Sequence, residues 1–261
     1  MTILARPTLT EGIENWIAAK GFCWIEDAPG MPAERLVEFS GRICYMSFYS
    51  KNSKQYRTTN RSFIENLIVQ GHESVFEHVA WTVLLDGVSR AFTHQMVRHR
   101  IGFSFSQLSQ QYHDESEVSF VEPPGLVRSL EALTAWHEAT EAARKAYAII
   151  KAKFPEDPVL SSERETNRRV RSASRSVLPN AAISTIVVTA NARAIRHFLR
   201  LRGANEGDSE MRAVSTLFYE MLKIEAPGLV ADFECRPGND GSPIIVVCPL
   251  KHEPPKETGS S

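Results

Sequence analysis

Two short β-branched apolar runs, residues 79–85 (VAWTVLL) and 182–189 (AISTIVVT), stand among segments whose apolar residues recur at helical spacing. Such runs read as buried strands, and the helical segments must supply the cover. The chain is therefore expected to be α+β, a mixed arrangement of sheet and helices. Its 261 residues, 43% hydrophobic and 23% charged, are enough to bury a real core. The same values exclude a disordered chain, a collagen-like repeat and a coiled-coil rod.

The spacing predicts two amphipathic helices near the N-terminus, one through Ile13, Trp16 and Ile17 and one through Leu36, Phe39 and Ile43, with Pro32 in the second's first turn. A third, over residues 60–70, carries Phe63, Ile64, Leu67 and Ile68 and stops at Gly71. Ser89 is placed to cap a helix through Phe92 and Met96 to Arg98, after which residues 101–125 read as a long loop. A long helix is expected over residues 126–154, with Leu130, Leu133, Thr140, Tyr147 and Phe154 along it and Pro155 as its stop. Ser162 and Glu165 make a capping box for an arginine-rich helix closed by Pro179. Asn191 caps a helix with Ile195, Phe198 and Leu199 inward, and a last helix, capped near Ser209, runs through Val214, Leu217, Phe218 and Met221. Residues 1–251 are expected to form a single domain, and 252–261 a disordered tail.

With 30 Lys+Arg against 31 Asp+Glu the net charge is −1, so the whole-chain balance calls for neither nucleic acid nor membrane, and any anion site must be local. Cys23, Cys44, Cys235 and Cys248 form no CxxC pair, which argues against a metal site and a disulfide framework. No stretch approaches the roughly 20 apolar residues of a membrane span, and the expected location is cytoplasmic.

The densest chemical signal runs from Gln95 through Arg98, His99 and Arg100 to the serine-rich segment IGFSFSQLSQQY. Consecutive side chains at a helix end diverge by about 100°, so these three basic residues would reach different ligands or different subunits. A solvated helix end facing its own macrodipole is the bland alternative. Two further basic segments, Arg164 to Arg175 and Arg193 to Arg202, shift the balance towards a bound polyanion.

Four blocks, GHESVFEH (71–78), RHR with QLSQQY (98–112), RSVLP (175–179) and NARAIRHFLRLR (191–202), resemble in order and spacing the signature blocks of the flavin-dependent thymidylate synthases. The resemblance spans about residues 55 to 225. It implies a twisted, largely antiparallel sheet flanked by helices, in a homotetramer with shared active sites. It also implies reductive methylation of a uracil nucleotide, with FAD reduced by NADPH and methylenetetrahydrofolate as carbon source. By this likeness His72, Ser74, Arg98, His99, Arg100, Gln107, Asn191, Arg193 and His197 surround FAD. Gln95, Arg98, Gln107, Leu108, Ser109, Gln110, Gln111, Arg175 and Arg202 hold UMP or dUMP, with Arg175 at the phosphate. Arg202 and Ser109 take the catalytic positions, Arg202 as a fixed cation beside the uracil.

Two departures from the family pattern fall in the nucleotide loop: one more residue separates Arg100 from Ser109, and Gln111 stands where an arginine is usual. An amide adds an acceptor to its donors, which leads to the expectation that a ribose 2′-hydroxyl is tolerated and UMP is methylated as well as, or in preference to, dUMP. In that respect the chain would resemble the uridylate C5-methylases of polyoxin-type antibiotic pathways. The competing readings are a flavoprotein of this fold that has lost methylation, and a nucleic-acid-binding protein using its basic helices.

Overall fold

The computed structural model describes residues 1–22, 30–48, 59–155 and 162–250. The tail expected over residues 252–261 and Cys23 lie outside the described residues. In chain order the elements are β1 (Thr2–Ala5), α1 (Gly12–Ala19), α2 (Pro32–Tyr45), α3 (Asn60–Val69), β2 (Ala80–Ser89), α4 (Arg90–Met96), β3 (Phe103–Gln107), α5 (Leu130–Lys153), α6 (Glu163–Ser174), β4 (Ile183–Asn191), α7 (Ala192–Arg202), α8 (Ser209–Glu225), β5 (Phe233–Pro237) and β6 (Pro243–Val247). Short 3₁₀ turns lie at Glu73–His78, Leu126–Arg128, Arg175–Val177 and Pro227–Val230. The mixed α+β class expected from the sequence is what the chain forms. No described helix is long and apolar enough to cross a membrane.

A four-stranded sheet has the order β1-β2-β4-β3, and β5 and β6 form a separate antiparallel pair with Cys235 opposite Ile245. Strands β2 and β4 are antiparallel, because Thr82 meets Thr189 at 2.9 Å while Asp86, four residues on, meets Thr185, four residues back. Alternate residues on them, Trp81, Val83 and Leu85 with Ile186 and Val188, are almost fully buried, and the other face is half-covered.

The described chain divides into two compact units. The first comprises Ile3–Val83, Ile101–Ser104 and the residues from Thr189 onward; the second comprises Met1–Thr2, Leu84–Arg100 and Phe105–Val188. The first unit's core is built from Ile64 and Leu67 of α3, Ile195, Phe198 and Leu199 of α7, and Val214, Phe218 and Leu222 of α8, with the Phe198 and Phe218 rings meeting edge to face at 5.7 Å. Glycine ends α3 as expected: Gly71 has φ +69°, in the left-handed region.

Helix α2 corrects the expected face. It buries Ala33, Val37 and Gly41 together with Glu34, Glu38 and Arg42, whereas Ile43 is exposed. Two local causes account for this. Gly41 lies against Phe63, so close that a Cβ there would come within 2.9 Å of the ring. The buried charges satisfy each other, Arg42 Nε donating to Glu38 at 2.7 Å and Asn60 Nδ2 to the same carboxylate at 2.8 Å.

In the second unit the long helix starts at Leu130 rather than Leu126, because the Ser129 hydroxyl accepts the Ala132 N–H and fixes the first turn there. Its apolar stripe is mostly half-buried: Leu130 is 80% exposed, Leu133 and Phe154 are intermediate, and Thr140 and Tyr147 are the helix's buried residues. The segment expected as one loop over residues 101–125 contains β3. Helix α8 starts at Ser209 with Asp208 as its cap, and Leu217 points outward.

Candidate active site

The start of α4 is fixed at both its side chain and its backbone. Ser89 Oγ accepts the Phe92 N–H at 2.9 Å, while the Arg90 and Ala91 N–H groups donate to the Ala182 and Asn180 carbonyls. One turn along, Arg90 and His94 share a face. Together with Gln110, Ser172, Arg175 and Asn180 they line a cleft of about 440 Å³ in the second unit. Arg175 reaches it because α6 ends at Ser174 and continues as a 3₁₀ turn before Pro179.

Two guanidinium groups facing one cleft repel each other. Burial, and after it the positive charge of Arg175, hold Arg90 below the usual guanidinium value, against the pull of Glu115. Neither arginine has an ion-pair partner within 4 Å among the described residues; Arg90 Nη1 has a long hydrogen bond, 3.4 Å, to the Leu108 carbonyl. Gln110 is 7% exposed and its side-chain amide has no hydrogen bond among the described residues. Unmatched cations beside an uncommitted amide suit a small, planar, anionic ligand.

The loop that follows β3 is held by its own polar groups. Leu108 N–H joins the sheet through the Thr185 carbonyl at 2.9 Å. The Ser109 carbonyl accepts from Tyr112 and His113, and its hydroxyl accepts the Gln111 N–H at 3.3 Å. Gln107 points its amide nitrogen inward, donating to Thr93 Oγ1 at 2.8 Å and Ser184 Oγ at 3.0 Å, so both of its N–H groups brace the unit itself. Gln111 Nε2 donates to Ser172 Oγ at 3.2 Å, and Arg171 Nη1 donates to the Tyr112 carbonyl at 2.6 Å.

Glu115 is 3% exposed, and burial pushes its carboxyl up against the pull of His113, whose Nδ1 lies 3.4 Å from Oε1; among the described residues Oε1 has no well-formed hydrogen bond. The RHR triplet corrects another expectation. Helix α4 ends at Met96, and Arg98 and His99 N–H groups turn back to the Gln95 and Met96 carbonyls, so Arg98–Arg100 follow the helix instead of ending it. Arg98 and Arg100 are exposed.

The first unit joins the other two blocks. Asn191 caps α7 with Oδ1 accepting the Ala194 N–H at 2.9 Å. Arg196, one of the cations in the basic segment from Arg193 to Arg202, is fully buried; its guanidinium forks onto Asp232 at 2.6 and 2.8 Å and donates to Glu73 at 2.8 and 3.2 Å. Arg200 joins on Glu73. Burial alone would raise the Glu73 carboxyl, but Arg200 and Arg196 hold it down to about 2. Arg193 pairs with Glu77 at 2.5 Å.

Thus the GHESVFEH segment is clamped to α7, and His72, Ser74, Arg193 and His197 stand exposed, the last two one turn apart. Arg202 lies half-buried at the end of α7. Gly102, the residue before β3, has φ +74° and passes its carbonyl to the Asn191 N–H; a Cβ there would sit 2.7 Å from Asn191 and 2.8 Å from Ala194.

The structure therefore groups Arg175, Gln110, Gln111, Leu108 and Ser109 around one cleft or its walls, and His72, Ser74, Asn191, Arg193, His197 and Arg202 on or beside α7. Sequence reasoning missed Arg90, His94, Ser172 and Asn180. The first two were detectable from their four-residue spacing on a helix opened by Ser89; Ser172 and Asn180 carry no such signal.

Among known proteins, the family model described as "Thymidylate synthase complementing protein" matches residues 29–228. A flavin-dependent thymidylate synthase of Mycobacterium bovis (strain BCG / Pasteur 1173P2) is 39% identical over 234 residues, covering 88% of this chain and 90% of its own. One of Mycobacterium tuberculosis (strain ATCC 25618 / H37Rv) has the same identity and coverage. One of Mycobacterium sp. (strain JLS) is 41% identical over 227 residues, covering 85% of this chain and 87% of its own. The blocks that hold the cleft and α7 lie within the matched span, and the chain belongs to the flavin-dependent thymidylate synthase family, as a methyltransferase of the thymidylate synthase type.

Proposed function

We propose that the protein catalyses FAD-dependent reductive C5-methylation of a uracil nucleoside monophosphate, dUMP, UMP or both, with methylenetetrahydrofolate as carbon donor and NADPH as reductant. The observation that carries this reading is the cleft lined by Arg90 and Arg175, two cations with no carboxylate within ion-pair distance among the described residues, walled by the buried residue Gln110. A phosphate answers the charge, and an amide offers both a donor and an acceptor to a pyrimidine edge. The names of the relatives supply the flavin and the thymidylate chemistry.

In this reading Arg175 and Arg90 hold the phosphate, while Gln95, Arg98, Gln107, Leu108, Ser109, Gln110 and Gln111 orient the nucleotide. Arg202 places a fixed positive charge beside the uracil, where negative charge develops as hydride reaches C6, and Ser109 lies at the reacting ring. His72, Ser74, Arg98, His99, Arg100, Asn191, Arg193 and His197 face FAD. The donor set fits that cofactor: exposed His197, His72 and Ser74 offer donors of the kind a diphosphate takes, and Arg193, one turn from His197, would have to share its charge with Glu77. When bound, the flavin carries the hydride from NADPH to the pyrimidine. The protein's share is to orient, to shield and to polarise.

Self-association as a homotetramer with shared sites fits the dispersal of the basic residues over several elements. It also fits exposed apolar side chains such as Ile101, 90% exposed, and Ile224, 71% exposed. The burial of Arg196 and the pairing of Arg193 and Arg200 remove much of the basic face a nucleic-acid reading would need. A cytoplasmic location accords with this substrate set.

The deciding experiment supplies purified protein with FAD, NADPH, methylenetetrahydrofolate and either UMP or dUMP. A yellow protein forming the 5-methyl nucleotide is the expected result. Colourless protein that refuses added flavin, or no product from either nucleotide, contradicts the reading, and strict rejection of UMP removes the 2′-hydroxyl expectation alone.

A further inference from the structure

Three serines lie close together at the end of α6 and the turn after it, and their hydroxyls are used differently. Ser174 Oγ donates to the Val170 carbonyl at 2.8 Å and Ser176 Oγ to the Ala173 carbonyl at 2.6 Å, the usual back-bonding of a helical serine. Ser172, a wall of the Arg90–Arg175 cleft, makes no such bond. Among the described residues its one hydrogen bond is accepted, from Gln111 Nε2 at 3.2 Å.

A hydroxyl has one proton to donate and two lone pairs to accept with. With a lone pair occupied by the Gln111 amide and no backbone carbonyl taking the proton, the Ser172 O–H is free to donate into the space it faces. That space holds two guanidinium groups, neither with a carboxylate within ion-pair distance among the described residues.

We propose that Gln111 is a positioning residue that turns the Ser172 hydroxyl proton into the cleft, making Ser172 a neutral donor to a phosphate oxygen of the bound nucleotide. The inference rests on the cleft being the nucleotide-phosphate site. It gives Gln111 a purpose that its position in the sequence did not disclose: an amide where an arginine is usual in the family adds no third cation to a pair that already repel, and acts through a hydroxyl instead. An arginine could donate to the same hydroxyl, as Arg212 does to Ser242, but would add a positive charge; the neutral amide holds the hydroxyl without one.

The test measures the dissociation constants of the flavin-loaded protein for UMP, dUMP and the parent nucleosides, with the variants Ser172→Ala, Gln111→Met, Gln111→Asn and the Ser172→Ala/Gln111→Met double. Losing a hydrogen bond to a charged group raises the monophosphate constant about tenfold in each single variant. Because the two residues act as one unit, the double variant also loses about tenfold rather than a hundredfold. Nucleoside constants stay unchanged throughout, which a merely structural role would not produce. Gln111→Asn, one methylene too short to reach, behaves as Gln111→Met. Variants that bind the monophosphates as the parent does, losses that add in the double, or equal losses for nucleosides overturn the proposal. If the parent protein binds neither monophosphate, the nucleotide reading of the cleft falls and this inference with it; if the parent binds and only the variants fail to differ, this inference alone falls.

Discussion

The protein contains two arginine clusters handled in opposite ways. Around Glu73 and Asp232, Arg196 and Arg200 are matched by carboxylates, and Arg196 is fully out of water. Around the cleft, Arg90 and Arg175 face each other with no ion-pair partner among the described residues, and Arg90 is pushed below its usual value by burial and by its neighbour. The first cluster is complete and holds the GHESVFEH segment onto α7. The second lacks an anion, which is what a substrate can bring. Charge count alone does not separate structural arginines from binding ones; the presence of a counter-charge does.

Breaking the matched cluster should have the largest effect. Arg196→Met leaves Asp232 buried without its bidentate partner and Glu73 with Arg200 alone, and should lower the unfolding free energy by about 3–5 kcal/mol, read by denaturant titration. Glu73→Gln should cost about 2–3 kcal/mol at neutral pH. Its pH dependence carries a definite sign. The folded carboxyl titrates near 2, below its unfolded value of about 4.3, so its stabilising contribution is present above about 4.3 and is lost as pH falls towards 2. Parent and variant should therefore converge in acid; a gap that persists unchanged at pH 2 contradicts the ion-pair account.

Unmatched arginines should respond in the reverse manner. Arg175→Met should cost tenfold or more in nucleotide monophosphate affinity, the loss of about 1.5–3 kcal/mol, while leaving unfolding stability unchanged or slightly raised as repulsion on Arg90 is relieved. The smallest effect belongs to Glu115. Because burial raises its folded carboxyl above the unfolded value, its ionisation opposes folding, and the penalty grows as pH rises from about 4.3 through the folded value. Glu115→Gln should be more stable than the parent at neutral pH by about 1 kcal/mol, and indistinguishable at pH 4.

Much of this organisation was legible from local chemistry. Ser89 and Asn191 cap the helices their side chains announced, Gly71 stops α3, and the runs beginning near Val79 and Ala182 are strands. These signals act over three or four residues, and nothing elsewhere in the fold overrides them. What escaped depended on distant partners. Arg196 looked like a surface cation because Asp232, its bidentate partner, is 36 positions away. The buried face of α2 was misjudged because Glu34, Glu38 and Arg42 are polar, and their burial is intelligible only once Asn60 and the Gly228 N–H are seen to satisfy them. The β5–β6 pair follows a Gly-Asn-Asp-Gly turn signal between residues 238 and 241 that was present and unused. In the cleft, Arg175 and Gln110 came from the family's blocks, whereas Arg90 and Ser172 became visible through the geometry alone.

The distinction between filled and waiting arginines is tested most directly by titrating the flavin-loaded parent protein and Arg175→Met with dUMP, UMP and uridine, and following each by calorimetry. The account predicts that the parent prefers the monophosphates to uridine and that Arg175→Met erases this preference while keeping the parent's unfolding midpoint. Monophosphate binding that survives the substitution unchanged would show that the nucleotide's charge is met elsewhere.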